Sequence, residues 1–297
     1  MSSLKCIVFD NAYPEALPTI PVRTQLFTGQ RTLPYRPWQP LTKEDISIAE
    51  ILRAEGYVCG LVSDTYHYRA PGMNFHRGFH AYRWIRGQEY DPWTSHLTSR
   101  SVDDYVKGHY DAFWRGRMAQ FLANTDDFTQ EGDWFPAQVV DEAVDWLQRN
   151  RAKSHTFALI DCFDPHEPWD PPTRFDTYKV SFMIRLPGGR GARRTPAIVQ
   201  FHDVLPTLLD VLGMSNNTSS MHGHSFLPVL HGDADVHREV IITGYHEAVD
   251  RAGMSWHRAA LNSCQARRWP FILSLGKDPM KREPGAFRLP VRACSSR

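Results

Sequence analysis

The sequence predicts an α/β fold, with a mainly parallel sheet flanked by helices. Residues 57–62 and 156–160 are continuous apolar runs, a pattern typical of strands in a parallel sheet that is covered on both faces. We expect residues 156–160 at the centre of that sheet. Residues 137–150 carry apolar side chains at helical spacing, which predicts a helix packed on the sheet. At 297 residues the chain is long enough to bury a real core.

The net charge bears on which partners the chain binds, and the cysteines bear on its cellular compartment. Lys and Arg number 34 against 33 Asp and Glu, for a net charge of +1, so there is no electrostatic case for binding nucleic acid or a membrane. No apolar run reaches membrane-spanning length, and the first residues lack the apolar core of a signal peptide. The 5 cysteines are scattered and odd in number, which indicates reduced thiols. We therefore expect a cytoplasmic protein.

The stretch around Thr19 predicts a site for an oxyanion ester. Residues 4–9 form an apolar run that predicts a strand, and a proline-rich turn follows it. Pro21 suits the first turn of a helix, because its missing N–H is not needed there. Thr19 would then lie just before the helix, where free backbone donors and the helix dipole favour an anion. Arg23 has a planar fork that fits sulfate or phosphate oxygens. The alternative is that Thr19 is an N-cap and Arg23 a solvated helix residue.

Two histidines follow predicted strands. His67 lies in the loop after residues 57–62, and His166 lies in the loop after residues 156–160. Loops at the carboxyl ends of strands build the site in open α/β sheets, so we expect Thr19, His67 and His166 to gather at one edge of the sheet. An imidazole at position 166 would protonate a leaving oxygen or steady a non-bridging one. The alternative for each is an ordinary loop histidine.

Helix signals are present elsewhere in the chain. Thr42 is expected to cap a helix that ends at Gly56. Residues 199–213 predict another helix, with Asp203 at its start. In residues 137–150, the side chains that we expect to be buried form one helical stripe: Val140, Ala143, Val144 and Leu147.

The motif around Thr19 resembles the type I sulfatases of the alkaline phosphatase superfamily. That family places a nucleophile, one residue, Pro, one residue, Arg, several further residues and then Thr-Gly, and those positions are held here by Thr19, Pro21, Arg23, Thr28 and Gly29. Sulfatases carry Cys or Ser at the first position, which is converted to formylglycine. Threonine there is typical of the superfamily's phosphodiesterases and phosphotransferases. The resemblance therefore implies a hydrolase of sulfate or phosphate esters, with phosphodiesters and phosphonates included.

The same resemblance covers both histidines. Sulfatases place a His-x-Pro segment after a strand, and His166 with Pro168 falls on it. They commonly show a Gly-Lys-x-His segment at the earlier strand end, where this chain has His67 without the lysine. Residues 199–213 and 222–230 continue the family pattern as structural landmarks. The resemblance implies that the catalytic residues are Thr19, Arg23, His67 and His166.

The resemblance also implies a divalent metal, namely calcium, manganese or magnesium, with the Thr19 hydroxyl as one ligand. The chain has no Asp-His-Gly or Asp-Asn-Gly triplet, which is the family's later metal motif. The family's early strand with paired metal-binding aspartates has no counterpart in the sequence either. A hard cation wants about six oxygen donors, with carboxylates among them. We therefore expect a metal to bind only weakly.

The resemblance divides the chain into parts. We expect residues 1–252 to form an incomplete sulfatase-like domain, made of two blocks, 1–178 and 179–252, that are joined across a deletion. Residues 253–297 diverge from the pattern, and we expect an irregular tail there, either disordered and basic or read in a shifted frame. A parallel sheet that lacks neighbours would leave apolar surface exposed.

Two functions fit the sequence. One is a metal-dependent hydrolase that acts on a small-molecule sulfate or phosphate ester. The other is a non-catalytic remnant that binds an oxyanion through Arg23 and the turn at Thr19. A threonine hydroxyl needs a metal or a base to ionise it, so bound divalent metal would separate the two.

Overall fold

The computed structural model describes residues 6–68, 72–105, 112–164, 166, 180–187, 192–250, 255–265 and 270–273. None of the described helices has the length and hydropathy needed to cross a bilayer. The strands are β1 Ile7–Tyr13, β2 Ala16–Leu17, β3 Val58–Ser63, β4 Ala81–Trp84, β5 Thr156–Asp161, β6 Val180–Ile184, β7 Arg193–Gln200, β8 Val240–Asp250, β9 Ser255–Gln265 and β10 Pro270–Leu273. The helices are α1 Thr19–Thr28, α2 Ile48–Ala54, α3 Ala112–Asn124, α4 Phe135–Arg149, α5 Val204–Val211 and α6 Leu227–His231.

The described strands form three sheets. One is wholly parallel, in the order β4-β3-β5, and pairs Gly60 with Ala81 on one side and Ala158 on the other. The second has the order β6-β1-β7, with β7 parallel and β6 antiparallel to β1. The third has the order β10-β9-β8-β2, in which β2 and β8 are parallel and the other pairs antiparallel. The predicted α/β fold, with parallel strands and flanking helices, is confirmed.

β5 lies at an edge of the parallel sheet among the described strands, so its predicted central place is wrong. Of the strands that the structure describes, only β3 pairs with it, and its Ile160 is 46% exposed. The continuous apolar run of residues 156–160 therefore does not reflect burial on both faces.

α4 buries a face that is rotated from the predicted one, and of the four side chains predicted to be buried only Ala143 is. Its buried residues are Phe135, Val139, Ala143 and Trp146, whereas Val140, Val144 and Leu147 are 52%, 45% and 41% exposed. The cause is Trp146, whose ring lies against Gly60 of β3, so closely that a Cβ at position 60 would be 2.4 Å from Trp146 Cε2. We call Val140, Val144 and Leu147 the outer stripe of α4.

α2 begins later than predicted. Its cap is Ser47, whose hydroxyl accepts from the Glu50 amide at 3.3 Å, while the Glu50 carboxylate accepts from the Ser47 amide at 2.9 Å. The prediction of a Thr42 cap is wrong, because the Thr42 amide donates to Asp45 at 2.7 Å in a turn before the helix. This reciprocal pair at Ser47 satisfies backbone donors that a helix start leaves free.

A buried polar network lies just before α5. Asp203 precedes that helix as predicted, but its carboxylate accepts from the amides of Gln200 and His224, both at 3.0 Å, and from Arg238 Nε at 2.6 Å. His202 is fully buried beside it, with Nε2 3.1 Å from Arg238 Nη2. Burial lowers the pKa of His202 to about 3. The imidazole is therefore neutral in the folded chain at neutral pH.

Near both ends of the described chain, the structure has more β-strand than the sequence predicted. β1 continues to Tyr13, beyond the predicted end at residue 9. In the tail that we expected to be irregular, the structure describes β9 and β10, paired in antiparallel fashion beside β8. Residue 178, where the two blocks were expected to join, lies outside the described residues. The division of the chain into blocks therefore stays a prediction.

Candidate active site

The predicted site lies at the carboxyl ends of β3 and β5. These strands are neighbours, and Ser63 pairs with Asp161 where they end. Thr65 is the second residue after β3, and its hydroxyl donates to Asp161 Oδ2 at 3.0 Å. The loops after the two strands therefore meet, as expected for an open parallel sheet.

α1 brings Arg23 of the first motif to this edge. Pro18 is its cap, so Thr19 is the first residue of the helix rather than the residue before it. Thr19 is 9% exposed, and Arg23 follows one turn later. The helix ends at Gly29, whose φ of 66° lies in the left-handed region that favours glycine. The glycine at the end of the motif is thus explained by its backbone conformation.

Arg23 forms a bidentate ion pair with Asp161. Its Nε donates to Oδ2 and its Nη2 to Oδ1, both at 2.9 Å, and the two side chains are 14% and 20% exposed. Burial opposes the charge on Arg23, but Asp161 outweighs it, so the pKa of the guanidinium lies above its ordinary value. Arg23 is therefore neither a solvated helix residue nor a free oxyanion binder, because Asp161 occupies its fork.

His67 lies in a single turn, Tyr66–Tyr68, after β3. Its Nε2 is 2.8 Å from Glu89 Oε2, with side chains 11% and 10% exposed. Glu89 has a φ of 53°, a backbone conformation that is uncommon for any residue with a side chain. Pairing with a buried carboxylate fixes the orientation of an imidazole. His67 is thus held in place rather than solvated.

Phe163 joins the two histidines. Its ring stacks on His166, with centroids 4.2 Å apart and 29° between the planes. The His67 ring meets the same phenyl ring at 5.6 Å and 62°. The structure thus brings His67 and His166 together at the ends of neighbouring strands. Pro168, which completes the second motif, lies outside the described residues.

Two carboxylates at this edge were not assigned a role from the sequence. Asp64 is fully buried, and its Oδ1 accepts from the Phe163 amide at 2.7 Å. Gln88 Nε2 lies 3.3 Å from Asp64 Oδ2 and 3.4 Å from Asp164 Oδ2. Burial raises the pKa of Asp64 to about 6 and also raises the pKa of Asp164. Their positions just after the ends of β3 and β5 are the signal that identifies them.

The carboxylate oxygens at this edge do not fit the divalent metal that the family resemblance implies. Among the described residues, no group of three or more His, Cys, Asp or Glu side chains is arranged to hold a metal ion. Asp161 accepts from Arg23, Asp64 accepts from the Phe163 amide, and the Gln88 amide lies between Asp64 and Asp164. Calcium and magnesium need carboxylate oxygens that point at the ion, and here these oxygens face hydrogen-bond donors.

A family model supplies the decisive comparison. The model, described as Sulfatase, matches residues 3–181, which is more than half of the chain. The chain belongs to the sulfatase family. A stretch of 58 residues is also 38% identical to the N-acetylglucosamine-6-sulfatase of Bos taurus, and it covers 20% of this chain and 10% of that sulfatase. The match thus spans about a tenth of the length of this curated relative.

Solved structures share the sulfatase-family fold at low sequence identity. A protein from the metabolism of glycosaminoglycans by Bacteroides thetaiotaomicron has a TM-score of 0.56 and 12% identity, over 87% of this chain and 78% of that one. The phosphonate monoester hydrolase of Agrobacterium radiobacter has a TM-score of 0.50 and 14% identity, over 93% of this chain and 84% of that one. The family and the fold predicted from the sequence are confirmed. The catalytic roles of Thr19, Arg23, His67 and His166 stay predictions.

Proposed function

We propose that this chain is a hydrolase that binds sulfate or phosphate esters of small molecules at the ends of β3 and β5. The ester-hydrolase class follows from membership of the sulfatase family. One observation carries the choice of site: His67 and His166, from motifs far apart in the sequence, contact the same ring of Phe163. α1 approaches the same edge, since its Arg23 binds Asp161 at the end of β5.

The proposed chemistry assigns one task to each side chain. The Thr19 hydroxyl attacks the sulfur or phosphorus atom and forms a new ester bond, its proton passes to solvent water, and the bond to the alcohol oxygen breaks. His166 donates a proton to the departing oxygen. His67, held by Glu89, donates to a non-bridging oxygen as negative charge builds up on it. Water then attacks the sulfur or phosphorus atom, the neutral His166 takes a proton from that water, and the ester bond to Thr19 breaks to release sulfate or phosphate.

The comparisons favour a small anionic ester as the substrate. The bovine relative is named for the 6-sulfate of N-acetylglucosamine, and one structural neighbour is named for phosphonate monoesters. A threonine at the nucleophile position is chemically suited to phosphate esters as well, because it cannot be converted to formylglycine. Sulfate, phosphate and phosphonate esters therefore all belong in a substrate screen.

A second candidate function is oxyanion binding without turnover. The observation that favours it is the ion pair between Arg23 and Asp161, which engages the arginine that the family motif supplies for the ester. The Asp64 and Asp164 carboxylates likewise face donors of the protein rather than an open coordination site. Both features argue against activation of an ester bound beside His67 and His166.

Turnover by the purified chain separates the two candidates. The assay follows release of 4-nitrophenol from aryl sulfates, phosphate diesters and phosphonates, with manganese or calcium added. Hydrolysis that disappears in Thr19→Ala but persists in Thr24→Ala supports the hydrolase. Thr24 is a matched control because it lies on the same helix and its hydroxyl donates to the Ile20 carbonyl at 3.0 Å. Binding without turnover in the wild type would leave only the second candidate, and neither binding nor turnover would refute both.

A further inference from the structure

Arg117 of α3 is a cation held by aromatic rings. Its Cζ lies 3.8 Å from the ring centroid of Tyr90, 4.1 Å from that of Phe113 and 4.9 Å from that of Trp114. Its Nε is buried and has no hydrogen-bond partner among the described residues. Ring contacts of this kind stabilise the charged form of a guanidinium and restrict its motion. Arg117 is therefore held in place by aromatic rings, and no carboxylate among the described residues balances its positive charge.

Other arginines of the same region have a carboxylate partner. Arg86 contacts Asp91 at 2.7 Å, Arg100 contacts Asp126 at 3.2 Å, and Arg115 contacts Asp103 at 2.6 Å. Within the described part of the chain, no such pair involves Arg117. An unpaired, partly buried cation costs desolvation energy unless a ligand supplies the opposite charge.

This cation lies one aromatic ring away from the candidate active site. The Tyr90 ring, on which Arg117 lies, is 4.7 Å from the Tyr66 ring and 6.3 Å from the His67 ring. The nearby carboxylates are committed elsewhere, because Glu89 pairs with His67 and Asp91 pairs with Arg86. An anionic group near Tyr90 would therefore meet Arg117 rather than an acidic side chain.

We propose that Arg117 and Tyr90 form a second anion subsite, which binds a carboxylate, sulfate or phosphate on the alcohol part of the ester. Rings that pack against a guanidinium leave its N–H donors at the rim, where they suit a bidentate contact with an oxyanion. Phe113 and Trp114 are 58% and 43% exposed, so the subsite faces solvent on one side. This inference rests on the proposed function, because it places the reacting ester beside His67 and His166. With this subsite, the preferred substrates of the chain are esters that carry two anionic groups.

The test compares two ligands that differ by one anionic group. Calorimetry on the full chain measures the dissociation constants of N-acetylglucosamine 6-sulfate, whose 2-position is neutral, and of glucosamine 2-N,6-O-disulfate. We expect the disulfate to bind about tenfold more tightly, as one added charge-assisted contact predicts. In Arg117→Gln this preference should fall to less than about twofold, with monosulfate binding unchanged. Arg115→Gln, which removes an exposed arginine of the same helix that has its own partner, should keep the full preference.

Arg117→Lys tests whether a lost preference for the disulfate arises from altered packing rather than from the lost charge. Lysine keeps the charge but not the planar fork, so it should retain part of the preference for the disulfate. A preference that survives in Arg117→Gln, or equal binding of both ligands by the wild type, would overturn the subsite and leave the proposed function intact. Equal loss in Arg117→Lys and Arg117→Gln would also overturn the charge-based account. Failure of both ligands to bind the wild type would overturn the subsite together with the proposed function.

Discussion

The ion pair between Arg23 and Asp161 gives a prediction whose size follows from the structure. Asp161→Asn keeps the shape of the side chain but removes the charge that balances Arg23. Removing one partner of a buried pair costs about 3–5 kcal/mol, because the other charge is left uncompensated. The side chains are 14% and 20% exposed, so we take the lower end, about 3 kcal/mol. The Thr65 hydroxyl also loses a charged acceptor at 3.0 Å.

Urea denaturation measures this loss. With an m-value of about 3 kcal/mol/M, the upper end for single domains, the midpoint of Asp161→Asn should fall by about 1 M. Sulfate at millimolar concentration should recover part of that loss in the variant, because the freed guanidinium then has an oxyanion to bind. Sulfate should shift the wild type less, since Asp161 already occupies Arg23.

Asp145→Asn is the matched control. Asp145 pairs with Arg149 one turn along α4, where the side chains are 41% and 69% exposed, and such surface pairs contribute little. Its midpoint should stay at the wild-type value. A midpoint of Asp161→Asn equal to that of Asp145→Asn would refute the structural role of the Arg23 pair. A sulfate response no larger than that of the wild type would refute the claim that Asp161 competes with the oxyanion.

Three further predictions concern the fold around the site. Gly60→Ala should lower the urea midpoint strongly, because its Cβ would lie 2.4 Å from Trp146 Cε2; an unchanged midpoint would contradict the packing of α4. Burial lowers the pKa of His202 to about 3 from 6.5, so between these pH values only the unfolded chain binds the proton and stability falls as the pH falls. The stability of His202→Gln relative to the wild type should therefore improve from pH 7 to pH 4, and a constant difference would show that His202 does not titrate in this way. Replacing the outer stripe of α4 with Gln should reduce the binding of apolar dyes without lowering the urea midpoint, since these side chains are exposed. Unchanged dye binding would show that the dyes bind a different apolar surface.

Local chemistry explains why much of the fold was predictable. The apolar runs of β3 and β5, the proline-rich entry to α1 and the strand-end positions of His67 and His166 all depend on neighbours in the sequence. The buried face of α4 was not predictable in this way. Val140 and Val139 are equally apolar, and the choice between them depends on the fit of Trp146 against Gly60, which lies on a distant strand. Helical periodicity carries no information about such a contact.

The candidate site likewise has features that the sequence predicts and features that it does not. Motif spacing selected Arg23 and both histidines as candidates, but the side chains that pair with Arg23 and His67 come from remote parts of the chain. Asp161 lies 138 residues from Arg23, and no spacing rule connects the two. Glu89 adopts a left-handed backbone conformation that is uncommon for glutamate, so nothing in its local sequence marks it as the partner of His67. Long-range pairing of charges was the information that the sequence did not provide.

The central claim is that His67 and His166 belong to one ester-binding site. NMR of the histidine ring signals during titration with 4-nitrophenyl sulfate tests it most directly, with the ring of His155 as the control, because His155 directly precedes β5 at its opposite end. The account predicts that the signals of His67 and His166 shift together with one dissociation constant, while the signal of His155 does not move. Shifts of only one of the two histidines, or equal shifts of all three, would contradict the account.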